Sequence, residues 1–488
     1  MTLTVADIAG AIGGRLLSGD GAAAVSGISI DTRTIVPGEL YVAIRGERLD
    51  GHDFVEAALA AGAAGVVINR PMGHLPPAAI SGRALIVVPD TTGALQRLAR
   101  WVRRRSGAQV VAVTGSAGKT TTKETAAAFL GLRHRVMRSS GNLNNHIGLP
   151  LSLLELRHGA DVAVVELGMN HAGEISRLVA IAEPDVRVWT NVAEVHLEFF
   201  GSIEAIADAK AEILEGATGK TVLVANADDP RVMARTAGFA GTLVTFGAAQ
   251  GATVTAAEIE SLGIDGMSAR VDAGGETVRV RVPLLGRGNL QNVLAGIAVA
   301  RLFDVPLDAI AERAASLRPA PHRGDVIRLA GGVTVVDDAY NSNPRALEGA
   351  LAVVAGERRF ARRVAVLGEM RELGEPSVAL HEACGRTAAG SGLSLLVTVG
   401  GVPARAMGRA AVEAGMPGAQ VRHADTSAEA AEIVAREARA GDLVLVKGSR
   451  GVATERVVER LVAAFAASRG SFDVSPEPGR AKAEDPGS

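Results

Sequence analysis

Short apolar runs alternate with amphipathic segments along most of the chain, and this alternation predicts strands connected by helices. After the first run at 109–114, a helical pattern covers 119–130, and further apolar runs follow at 161–166, 186–191 and 221–226. Strands separated by helices in this way predict parallel βαβ units. Residues 241–284 differ, because Thr and Val alternate there with charged residues, which favours an antiparallel patch. A helical pattern returns at 289–303.

The same patterns divide the chain into three predicted domains and a tail. Residues 1–105 contain short apolar runs at 27–30, 40–44, 65–68 and 85–88, typical of a small α/β domain, and a helical pattern at 93–105. Residues 106–318 form the central, mainly parallel block, which ends in a proline-rich joint at 317–323. Residues 319–468 alternate again, with apolar runs at 333–337, 363–367, 394–399 and 443–446, and predict a Rossmann-like doubly wound sheet. Residues 469–488 are polar and rich in Gly and Pro, so a disordered tail is predicted.

Composition narrows the function classes. The chain is 48% hydrophobic and 21% charged with a formal net charge of -2, so no overall attraction to nucleic acid or anionic membranes is expected. The one cysteine, Cys384, excludes a disulfide framework and a cysteine metal site. The N-terminus does not resemble a secretion signal, and the sequence has no apolar run of about 18 residues. We therefore expect a cytoplasmic protein without a membrane span.

The strongest chemical signal is the segment Val111-Ala-Val-Thr-Gly-Ser-Ala-Gly-Lys-Thr-Thr-Thr122. An apolar strand enters a glycine turn, and Lys-Thr then opens a helix, which directs backbone N–H groups and the positive helix end at a phosphate. Lys119 is expected to reach the β- and γ-phosphates, and the Thr120 hydroxyl to bind Mg²⁺. Val113 replaces the first Gly of the general phosphate-loop pattern, so the loop is a shortened variant. The predicted nucleotide contacts are Gly115, Ser116, Ala117, Gly118, Lys119, Thr120 and Thr121.

Two further residues are candidate metal ligands. Glu166 ends an apolar run, and His196 follows the next one along the chain. Side chains in these places lie at the carboxyl edge of a parallel sheet, where ligands bind in doubly wound folds. The alternative for each is an ordinary polar residue at the end of a strand, and for a lone His this alternative is the commoner one.

The sequence resembles a known family, the Mur ligases, which build the peptide of bacterial peptidoglycan. Segments similar to family motifs occur in family order; they are Thr114-Gly-Ser-Ala-Gly-Lys-Thr120, Asn142-Leu-Asn-Asn-His-Ile-Gly-Leu-Pro150, Glu166-Leu-Gly-Met-Asn170, Asn191 to His196, Ala209-Lys-Ala-Glu-Ile213, Gly288-Asn-Leu-Gln-Asn292, Asp337-Asp-Ala-Tyr-Asn-Ser-Asn-Pro344 and Val446-Lys-Gly-Ser-Arg450. Four segments, among them Gly368-Glu-Met-Arg-Glu-Leu-Gly374, resemble the members that add D-alanyl-D-alanine to a UDP-linked tripeptide. Asp31-Thr-Arg33 and Asp50-Gly-His-Asp-Phe54 resemble a UDP-substrate domain.

The resemblance implies an ATP-dependent, ADP-forming ligase that phosphorylates a carboxylate and lets an amine attack the acyl phosphate. The implied substrates are UDP-N-acetylmuramoyl-tripeptide and D-alanyl-D-alanine, and the implied cofactors are ATP and two Mg²⁺ ions. The implied oligomeric state is a monomer. Thr120 and Glu166 are implied to hold one Mg²⁺, and His196 and Lys210 a second. Lys210 is a position that the family often carbamylates, although Ala211 stands here for the usual Gly. Lys119, Lys210 and His196 are the implied catalytic residues.

The resemblance also assigns binding roles. Asn289 and Asn292 are implied to contact adenine, Arg323 the γ-phosphate and Asp338 the ribose. Residues assigned to substrates are Thr32 and Arg33 for the UDP group, Asn142, Asn341 and Asn343 around the site, and Lys447, Ser449 and Arg450 for the incoming peptides. For the asparagines of the 341–343 segment, a turn-forming role is the alternative.

Three other functions stay open at this stage. One is a sister ligase that adds the third amino acid, diaminopimelate or lysine, to UDP-N-acetylmuramoyl-dipeptide. Another is a folate polyglutamate ligase, which the block at 1–105 preceding the phosphate loop disfavours. The third is a non-catalytic nucleotide-binding regulator, which the complete set of Lys119, Glu166, His196 and Lys210 disfavours.

Overall fold

The computed structural model describes residues 1–70 and 77–466, and these residues form three α/β domains in chain order. The predicted α/β class with three domains is therefore confirmed. The boundaries after residues 105 and 318 stay predictions. The predicted disordered tail, 469–488, lies outside the described residues.

The N-terminal domain contains a five-stranded mixed sheet and a separate antiparallel pair made by its first and third strands, with helices around them. Its strands are β1 Leu3–Thr4, β2 Arg15–Ser18, β3 Ala24–Val25, β4 Gly27–Ser29, β5 Glu39–Val42, β6 Gly65–Ile68 and β7 Ala84–Val87. Among the described residues β4 to β7 run parallel to one another, and β2 pairs antiparallel with β7. The helices are α1 Val5–Ile12, α2 Val55–Ala60, α3 Pro77–Ile80 and α4 Thr91–Ser106.

Helix α4 connects this domain to the next. Asp90 caps it by accepting hydrogen bonds from the backbone N–H groups of Thr92 and Gly93, at 3.0 Å each. Its apolar face buries Leu95, Leu98 and Val102 in a core shared with both domains. Burial of such a face stabilises a helix far more than intrinsic propensity does. The helix therefore forms part of the packing between the two domains.

The central domain contains a large sheet whose first part is parallel. Its strands are β8 Gln109–Thr114, β9 Val136–Arg138, β10 Val162–Glu166, β11 Val186–Trp189, β12 Val222–Asn226, β13 Thr242–Gly247, β14 Val254–Ser261, β15 Met267–Ala273 and β16 Glu276–Val282. The order is β16-β15-β14-β13-β12-β11-β8-β10-β9. The predicted antiparallel patch is present in β14 to β16. For β13 the prediction was wrong, because this strand extends the parallel part by pairing with β12.

The helices of the central domain cover both faces of the sheet. They are α5 Lys119–Leu130, α6 Gly148–Leu154, α7 Glu174–Ala182, α8 Leu197–Phe200, α9 Ile203–Ala211, α10 Pro230–Ala234, α11 Gly286–Arg301 and α12 Leu307–Ala314. Because both faces are covered, the inner strands are apolar throughout rather than alternating. In β8, for example, Val110 to Val113 are all fully buried.

The strand order brings the candidate site together. β8 lies between β10 and β11, with Glu166 paired opposite Val113 and Trp189 opposite Thr114. The three strands are parallel, so their carboxyl ends meet at one edge of the sheet. The phosphate loop, Glu166 and the segment after Trp189 consequently leave the sheet side by side.

The C-terminal domain is a doubly wound sheet with one antiparallel edge. Its strands are β17 Asp325–Arg328, β18 Thr334–Asp338, β19 Arg362–Gly368, β20 Leu395–Val399, β21 Val421–Ala424 and β22 Asp442–Lys447, in the order β17-β18-β22-β19-β20-β21. Its helices are α13 Pro344–Gly356, α14 Ser377–Gly390, α15 Val402–Glu413, α16 Ser427–Glu437 and α17 Glu455–Ala466. Strand β17 is antiparallel to β18, and the other pairings are parallel.

Three elements of this domain, β17, β21 and α15, were not predicted. Strand β21 has the sequence Val-Arg-His-Ala, which lacks an apolar run because the strand lies at the sheet edge. Helix α15 buries mainly alanines, which mark a helical face only weakly. Within the described residues, no helix combines the length and the apolar character needed to cross a membrane.

Candidate active site

The phosphate loop connects β8 to α5 and has two positions that require glycine. Gly115 has φ 146° and Gly118 has φ 81°. A Cβ atom at Gly115 would lie 1.9 Å from Thr190 Oγ1, and one at Gly118 would lie 2.1 Å from Asn292 Oδ1. Any other residue would therefore clash and be strained as well. These contacts explain why the motif has glycine at both positions.

The segment after β11 holds the loop in place. Asn191 Oδ1 accepts a hydrogen bond from the Ala117 N–H at 2.9 Å, and Thr190 Oγ1 donates to the Ala117 carbonyl at 2.7 Å. The Ala193 N–H donates to Ser116 Oγ at 2.9 Å. The loop is thus ordered by its own protein contacts, a preorganised arrangement that suits binding of a phosphate.

Lys119 begins α5 and is directed back over the loop. Its Nζ donates to the Gly115 carbonyl at 2.9 Å. Loss of solvation lowers the pKa of Lys119; nearby Glu166 raises it, and the positive charge of Arg323 lowers it. Burial and the guanidinium together outweigh the one nearby carboxylate, and an anionic phosphate would supply further negative charge.

Glu166 accepts hydrogen bonds on both carboxylate oxygens. Thr120 Oγ1 donates to Oε2 at 2.8 Å, and Asn144 Nδ2 donates to Oε1 at 3.0 Å. Glu166 is buried, and the Asn144 carbonyl is fixed in turn by the Gly168 N–H at 2.9 Å. The carboxylate is therefore held in one orientation beside the phosphate loop.

Asn144 is a site residue that the sequence reasoning missed. The Asn142-Leu-Asn-Asn segment was recognised, but Asn142 was chosen from it as a substrate contact. The structure leaves Asn142 exposed and brings Asn144 to Glu166. Nothing in the spacing separates the two residues, because the loop conformation decides which one faces the sheet edge. The role of Asn142 stays a prediction.

Lys210 lies near the end of α9 and is 2% exposed. Burial lowers its pKa well below the usual value, and the charge on Lys119 lowers it further. In the part of the chain that the structure describes, its ammonium group has no ion pair or hydrogen-bonding partner. Burial of an unpaired charge is costly, so the neutral amine is favoured. This environment differs from the solvated helix position that the local sequence pattern alone indicates.

His196 precedes α8 and contacts the C-terminal domain. Its Nδ1 lies 2.5 Å from Glu372 Oε2, a close contact without the angles of a hydrogen bond, and His196 is the main cause that lowers the pKa of Glu372. Glu372 belongs to the Gly368–Gly374 motif, which the sequence reasoning used only as evidence of resemblance. Glu372 is therefore a second residue that was missed.

Asn289 and Asn292 lie on α11 against the phosphate-loop helix. Asn292 Oδ1 accepts from Thr122 Oγ1 at 3.3 Å, and its Nδ2 donates to Asn289 Oδ1 at 3.2 Å. Asn289 Nδ2 donates to the Leu285 carbonyl at 2.9 Å. The Asn292 amide lies directly behind Gly118, and Asn289 contacts Asn292. Their contact with adenine stays a prediction.

Thr121 lies on a different face of α5 from Thr120. It lines a cavity of about 250 Å³ between α5, the end of β9 and the joint that leads to the C-terminal domain. Three arginines, Arg138, Arg313 and Arg318, line the same cavity. Thr120 instead contacts Glu166, so the two neighbouring hydroxyls of the motif have different surroundings.

Arg323, at the joint, stacks on an aromatic ring of the C-terminal domain. Its guanidinium lies 4.0 Å from the centre of the Tyr340 ring, and that of Arg450 lies 5.6 Å from it. Both distances are in the range of cation–π contacts. The positive charge of Arg323 also lowers the pKa of Lys119.

Other predicted residues of this domain make hydrogen bonds within the domain. Lys447 Nζ donates to Asp338 Oδ2 at 2.6 Å and to the Asn341 carbonyl at 3.0 Å. Ser449 Oγ accepts from the Arg371 N–H at 3.0 Å. Asn343 caps α13, with Oδ1 accepting from the Ala346 N–H at 2.9 Å. Asn343 thus caps a helix, and the ligand roles of all these residues stay predictions.

The predicted UDP-binding residues lie beside a second cavity. It has a volume of about 340 Å³ and is lined by Ser29, Asp31 and Thr34 of the N-terminal domain and by Leu143 and Ser152 of the central domain, among others. Arg33 is exposed and pairs with Asp31 at 2.6 Å, which lowers the pKa of Asp31 to about 2. Thr32 is half-buried between these residues. The cavity lies next to the predicted residues, between two domains.

Family models match all three domains. The Mur ligase middle domain matches residues 113–300, the Mur ligase glutamate ligase domain matches 322–450, and the Mur ligase family catalytic domain matches 24–103. Among curated proteins, the UDP-N-acetylmuramoyl-tripeptide--D-alanyl-D-alanine ligase of Escherichia coli is 35% identical over 94% of this chain and 98% of its own length. The enzyme of the same name from Bacillus subtilis is 32% identical over 90% of this chain and 93% of its own length.

Solved structures agree with these matches. MurF from Acinetobacter baumannii superposes with a TM-score of 0.85 at 30% identity, covering 95% of this chain and 99% of that one. MurF from Thermotoga maritima in complex with ADP superposes with a TM-score of 0.79 at 30% identity. This match covers 90% of this chain and 98% of that one. The matched domains, their order and the site geometry lead to one conclusion: the chain belongs to the Mur ligase family.

Proposed function

We propose that this chain joins D-alanyl-D-alanine to UDP-N-acetylmuramoyl-tripeptide in an ATP-dependent reaction that forms ADP and phosphate. The observation that carries the proposal is the arrangement of Lys119, Thr120 and Glu166 at one sheet edge, in a chain whose curated relatives bear this enzyme name. The reaction belongs to the synthesis of peptidoglycan precursors.

The chemistry begins with the carboxylate of the tripeptide, which is unreactive because its leaving group would be oxide. One of its oxygens attacks the γ-phosphorus, the bond to the β-phosphate oxygen breaks, and ADP leaves. The amine of the dipeptide then attacks the acyl carbon, phosphate leaves with the C–O electron pair, and the amine loses a proton. Phosphoryl transfer is accelerated mainly by positioning and charge neutralisation. Lys119 and Arg323 supply positive charge beside the loop.

The residues at the sheet edge fit a magnesium ion. Magnesium prefers oxygen ligands in octahedral geometry and is usually held by one or two carboxylates together with substrate phosphates. The Glu166 carboxylate and the Thr120 hydroxyl, 2.8 Å apart beside the phosphate loop, are donors of this type. Phosphate oxygens of the substrate are expected to complete the coordination, as is usual for Mg²⁺ held by one or two carboxylates. When bound, the ion neutralises phosphate charge.

A second magnesium site would use His196 and Lys210. The buried Lys210 amine has the property that carbamylation needs, because the neutral form is the one that attacks carbon dioxide. The product is an anion with two oxygens, and the nearby Lys119 charge would stabilise it. This environment supports the carbamate, and hence the proposed catalytic role of Lys210.

The substrates are proposed to approach from two sides. The cavity between the N-terminal and central domains suits the UDP end of the tripeptide substrate, beside Thr32 and Arg33. On the C-terminal domain, Lys447, Ser449 and Arg450 follow β22 and are proposed to meet the incoming dipeptide. A monomer in the cytoplasm stays the prediction for the state and location of the protein.

The alternative functions have less support. A solved ligase that adds diaminopimelate is only 21% identical with a TM-score of 0.55, and a folylpolyglutamate synthase is 19% identical with a TM-score of 0.57; these likenesses concern the fold alone. A non-catalytic regulator would not need a lysine buried without a partner beside a phosphate loop.

Phosphate release is the test of the proposal. The purified chain is incubated with ATP, Mg²⁺ and UDP-N-acetylmuramoyl-tripeptide, and D-alanyl-D-alanine, diaminopimelate, lysine and glutamate are compared as amines. Among the four amines, we expect only D-alanyl-D-alanine to cause release of phosphate and to give a product with the mass of the UDP-linked pentapeptide. If diaminopimelate reacts with the UDP-linked dipeptide while D-alanyl-D-alanine fails with the tripeptide, the proposal is wrong.

A further inference from the structure

The cavity of about 250 Å³ beside α5 is lined by more positive than negative side chains. The polar residues that matter for its chemistry are Thr121, Glu124, Thr125, Arg138, Arg313 and Arg318. The three arginines come from separate elements, namely the end of β9, the last turn of α12 and the joint that follows α12. We call this space the arginine cavity.

The charges around the arginine cavity are only partly balanced. Glu124 Oε2 lies 3.2 Å from Arg138 Nη1, and Glu124 Oε1 lies 3.2 Å from the Nζ of the buried Lys123. One carboxylate is therefore shared between two cations. Arg313 and Arg318 also line the cavity, and neither has an ion pair in the part of the chain that the structure describes. Positive groups around one space repel each other, so this lining favours an anion.

Thr125 adds a buried hydroxyl group to the lining. The residue is 2% exposed, and its Cγ2 faces α11, because a Cβ atom added at Gly296 would lie 2.7 Å from it. A threonine within a helix often donates to a carbonyl of the preceding turn, but Thr125 Oγ1 has no hydrogen-bonding partner among the described residues. Ser316 differs, since its Oγ donates to the Arg313 carbonyl at 2.8 Å. Buried hydroxyls normally have a partner, so that of Thr125 is suited to a ligand.

The chemistry and the size of the arginine cavity favour a phosphate group. Guanidinium groups bind phosphate oxygens through pairs of N–H groups and keep their charge at all ordinary pH values. Two arginines without ion pairs match the double negative charge of a phosphate, and the Thr125 hydroxyl can donate to a further oxygen. The volume lies below the usual range for ligand pockets, about 300–1,000 Å³, which favours a small anion over a second nucleotide.

The arginine cavity is distinct from the residues assigned to ATP, with one exception. Its lining does not include Lys119, Thr120, Asn289, Asn292 or Arg323. Thr121 is the exception, because it was predicted as a nucleotide contact and also lines the cavity. Thr125 lies one helical turn further from the phosphate loop. We therefore expect the cavity to bind its anion while ATP occupies the phosphate loop.

We propose that the arginine cavity is a second anion site, which binds one phosphate group through Arg313, Arg318 and the hydroxyl of Thr125. Two sources share this chemistry, namely free inorganic phosphate and the phosphate of a small phosphomonoester. The bound group would link α5, which begins at the phosphate loop, to the joint that leads to the C-terminal domain. The inference does not depend on the proposed function, because it concerns binding without turnover.

The experiment is equilibrium dialysis of the purified chain against radiolabelled inorganic phosphate. Saturating Mg²⁺ and a non-hydrolysable ATP analogue with a β,γ-methylene bridge fill the phosphate loop, including the position of the γ-phosphate. We expect saturable binding of one phosphate per chain, which weakens as NaCl is raised. In two further arms, glycerol 3-phosphate and acetate compete with the labelled phosphate. Acetate should compete poorly, since it has a single charge and fewer oxygens.

The variants test the residues that hold the phosphate. The double variant Arg313→Gln, Arg318→Gln should lower phosphate affinity by about tenfold or more, because hydrogen bonds to charged groups are among the stronger ones. Thr125→Val keeps the shape of the side chain and should lower the affinity by up to about tenfold. The matched control is Arg133→Gln with Arg177→Gln, two exposed arginines of the same domain that line neither cavity. It should bind phosphate like the wild type.

Loss of phosphate binding when the ATP analogue is added would place the anion in the ATP site and overturn the inference. Equal affinity in the wild type and the double arginine variant, an equal loss in the control, or equal competition by acetate would overturn it too. Competition by glycerol 3-phosphate supports a phosphomonoester as the source, and its failure to compete supports free phosphate.

Thermal melting is recorded for every variant. If the double arginine variant is poorly folded, Arg318→Gln and Thr125→Val decide by the same criteria. Failure of the wild type to use D-alanyl-D-alanine would reject the proposed function, but it would leave the dialysis result unchanged.

Discussion

The Thr120 hydroxyl lies 2.8 Å from Glu166 Oε2, although the two residues are 46 positions apart in the chain. The contact exists because β8 and β10 are parallel neighbours, so that a helix start and a strand end meet at the same edge. Lys119 precedes Thr120 and is directed at the same space. The predictions below test whether these groups act on a nucleotide and how the surrounding structure supports them.

Lys119→Ala is expected to lower the rate of phosphate release by about 10²–10³, because the variant removes positive charge from the transferred phosphate. The control is Lys220→Ala, which changes an exposed lysine of the same domain. Release is measured under saturating ATP, and melting temperatures are compared. A Lys119→Ala enzyme that melts normally and keeps more than a tenth of the wild-type rate would exclude the assigned role of this lysine.

Lys210→Ala is expected to be nearly inactive, and short carboxylic acids such as acetate or formate should partly restore turnover. The acid would fill the vacated space and replace the carbamate oxygens. Lys210→Arg should stay inactive even with added acid, because a permanent cation occupies the site. Turnover is measured across a range of acid concentrations. Substantial activity of Lys210→Arg would mean that the residue acts as a cation, and the carbamate proposal would then be wrong.

Gly118→Ala is expected to weaken ATP binding strongly, since the new Cβ would lie 2.1 Å from Asn292 Oδ1 at a φ of 81°. Gly349→Ala is the matched control. Gly349 lies exposed within α13, and a Cβ there meets nothing within 4 Å. The control should raise the free energy of unfolding by roughly 0.5–1 kcal/mol, the usual preference for Ala over Gly in a helix. Calorimetric titration with ATP and denaturant melts measure the two effects; equal ATP affinity in Gly118→Ala would contradict the loop geometry.

Glu357 supplies a pH-dependent contribution to stability at the contact between the central and C-terminal domains. Hydrogen bonds from Arg359, followed by those from backbone N–H groups including that of Ile264, lower its pKa to about 2 from its ordinary value of 4.5. A folded pKa below the unfolded one means that the stabilisation is complete above about pH 4.5 and is lost as the pH falls towards 2. We expect Glu357→Gln to lower the free energy of unfolding by about 1–3 kcal/mol at neutral pH.

The measurement for Glu357 is the difference in unfolding free energy between wild type and Glu357→Gln, recorded at several pH values. The difference should shrink as the pH is lowered through this window. The exposed pair of Arg405 with Asp425 provides a comparison, because surface ion pairs contribute little. A difference that stays constant from neutral to acid pH would show that the ionised carboxylate is not the source of the stability.

Much of the fold could be predicted from local pattern. Apolar runs bounded by turns place β8, β10 and β12 within a residue or so, and the pattern over 119–130 matches α5 fully. These elements are buried on both faces, so composition marks them clearly. Strands at or near the edge of a sheet are harder to predict from local pattern. Strand β21 carries Arg and His because one side meets solvent, and the pairing of β13 with β12 depends on a neighbour that no local pattern reveals.

The residues of the candidate site also divide into those that local sequence predicts and those that only the tertiary structure reveals. The sequence by itself determined the phosphate loop and the ends of β10 and β11, because strand–turn–helix patterns are local properties; for Lys210 it gave a prediction that rests on the order of the family motifs. Only the tertiary structure decided that Asn144 rather than Asn142 meets Glu166, that Lys447 pairs with Asp338 and that Lys210 is buried without a partner. These relationships depend on strand order and on how loops cross between domains. The contact of His196 with Glu372 is of this kind, because its two residues belong to different domains and meet through packing that no residue spacing encodes.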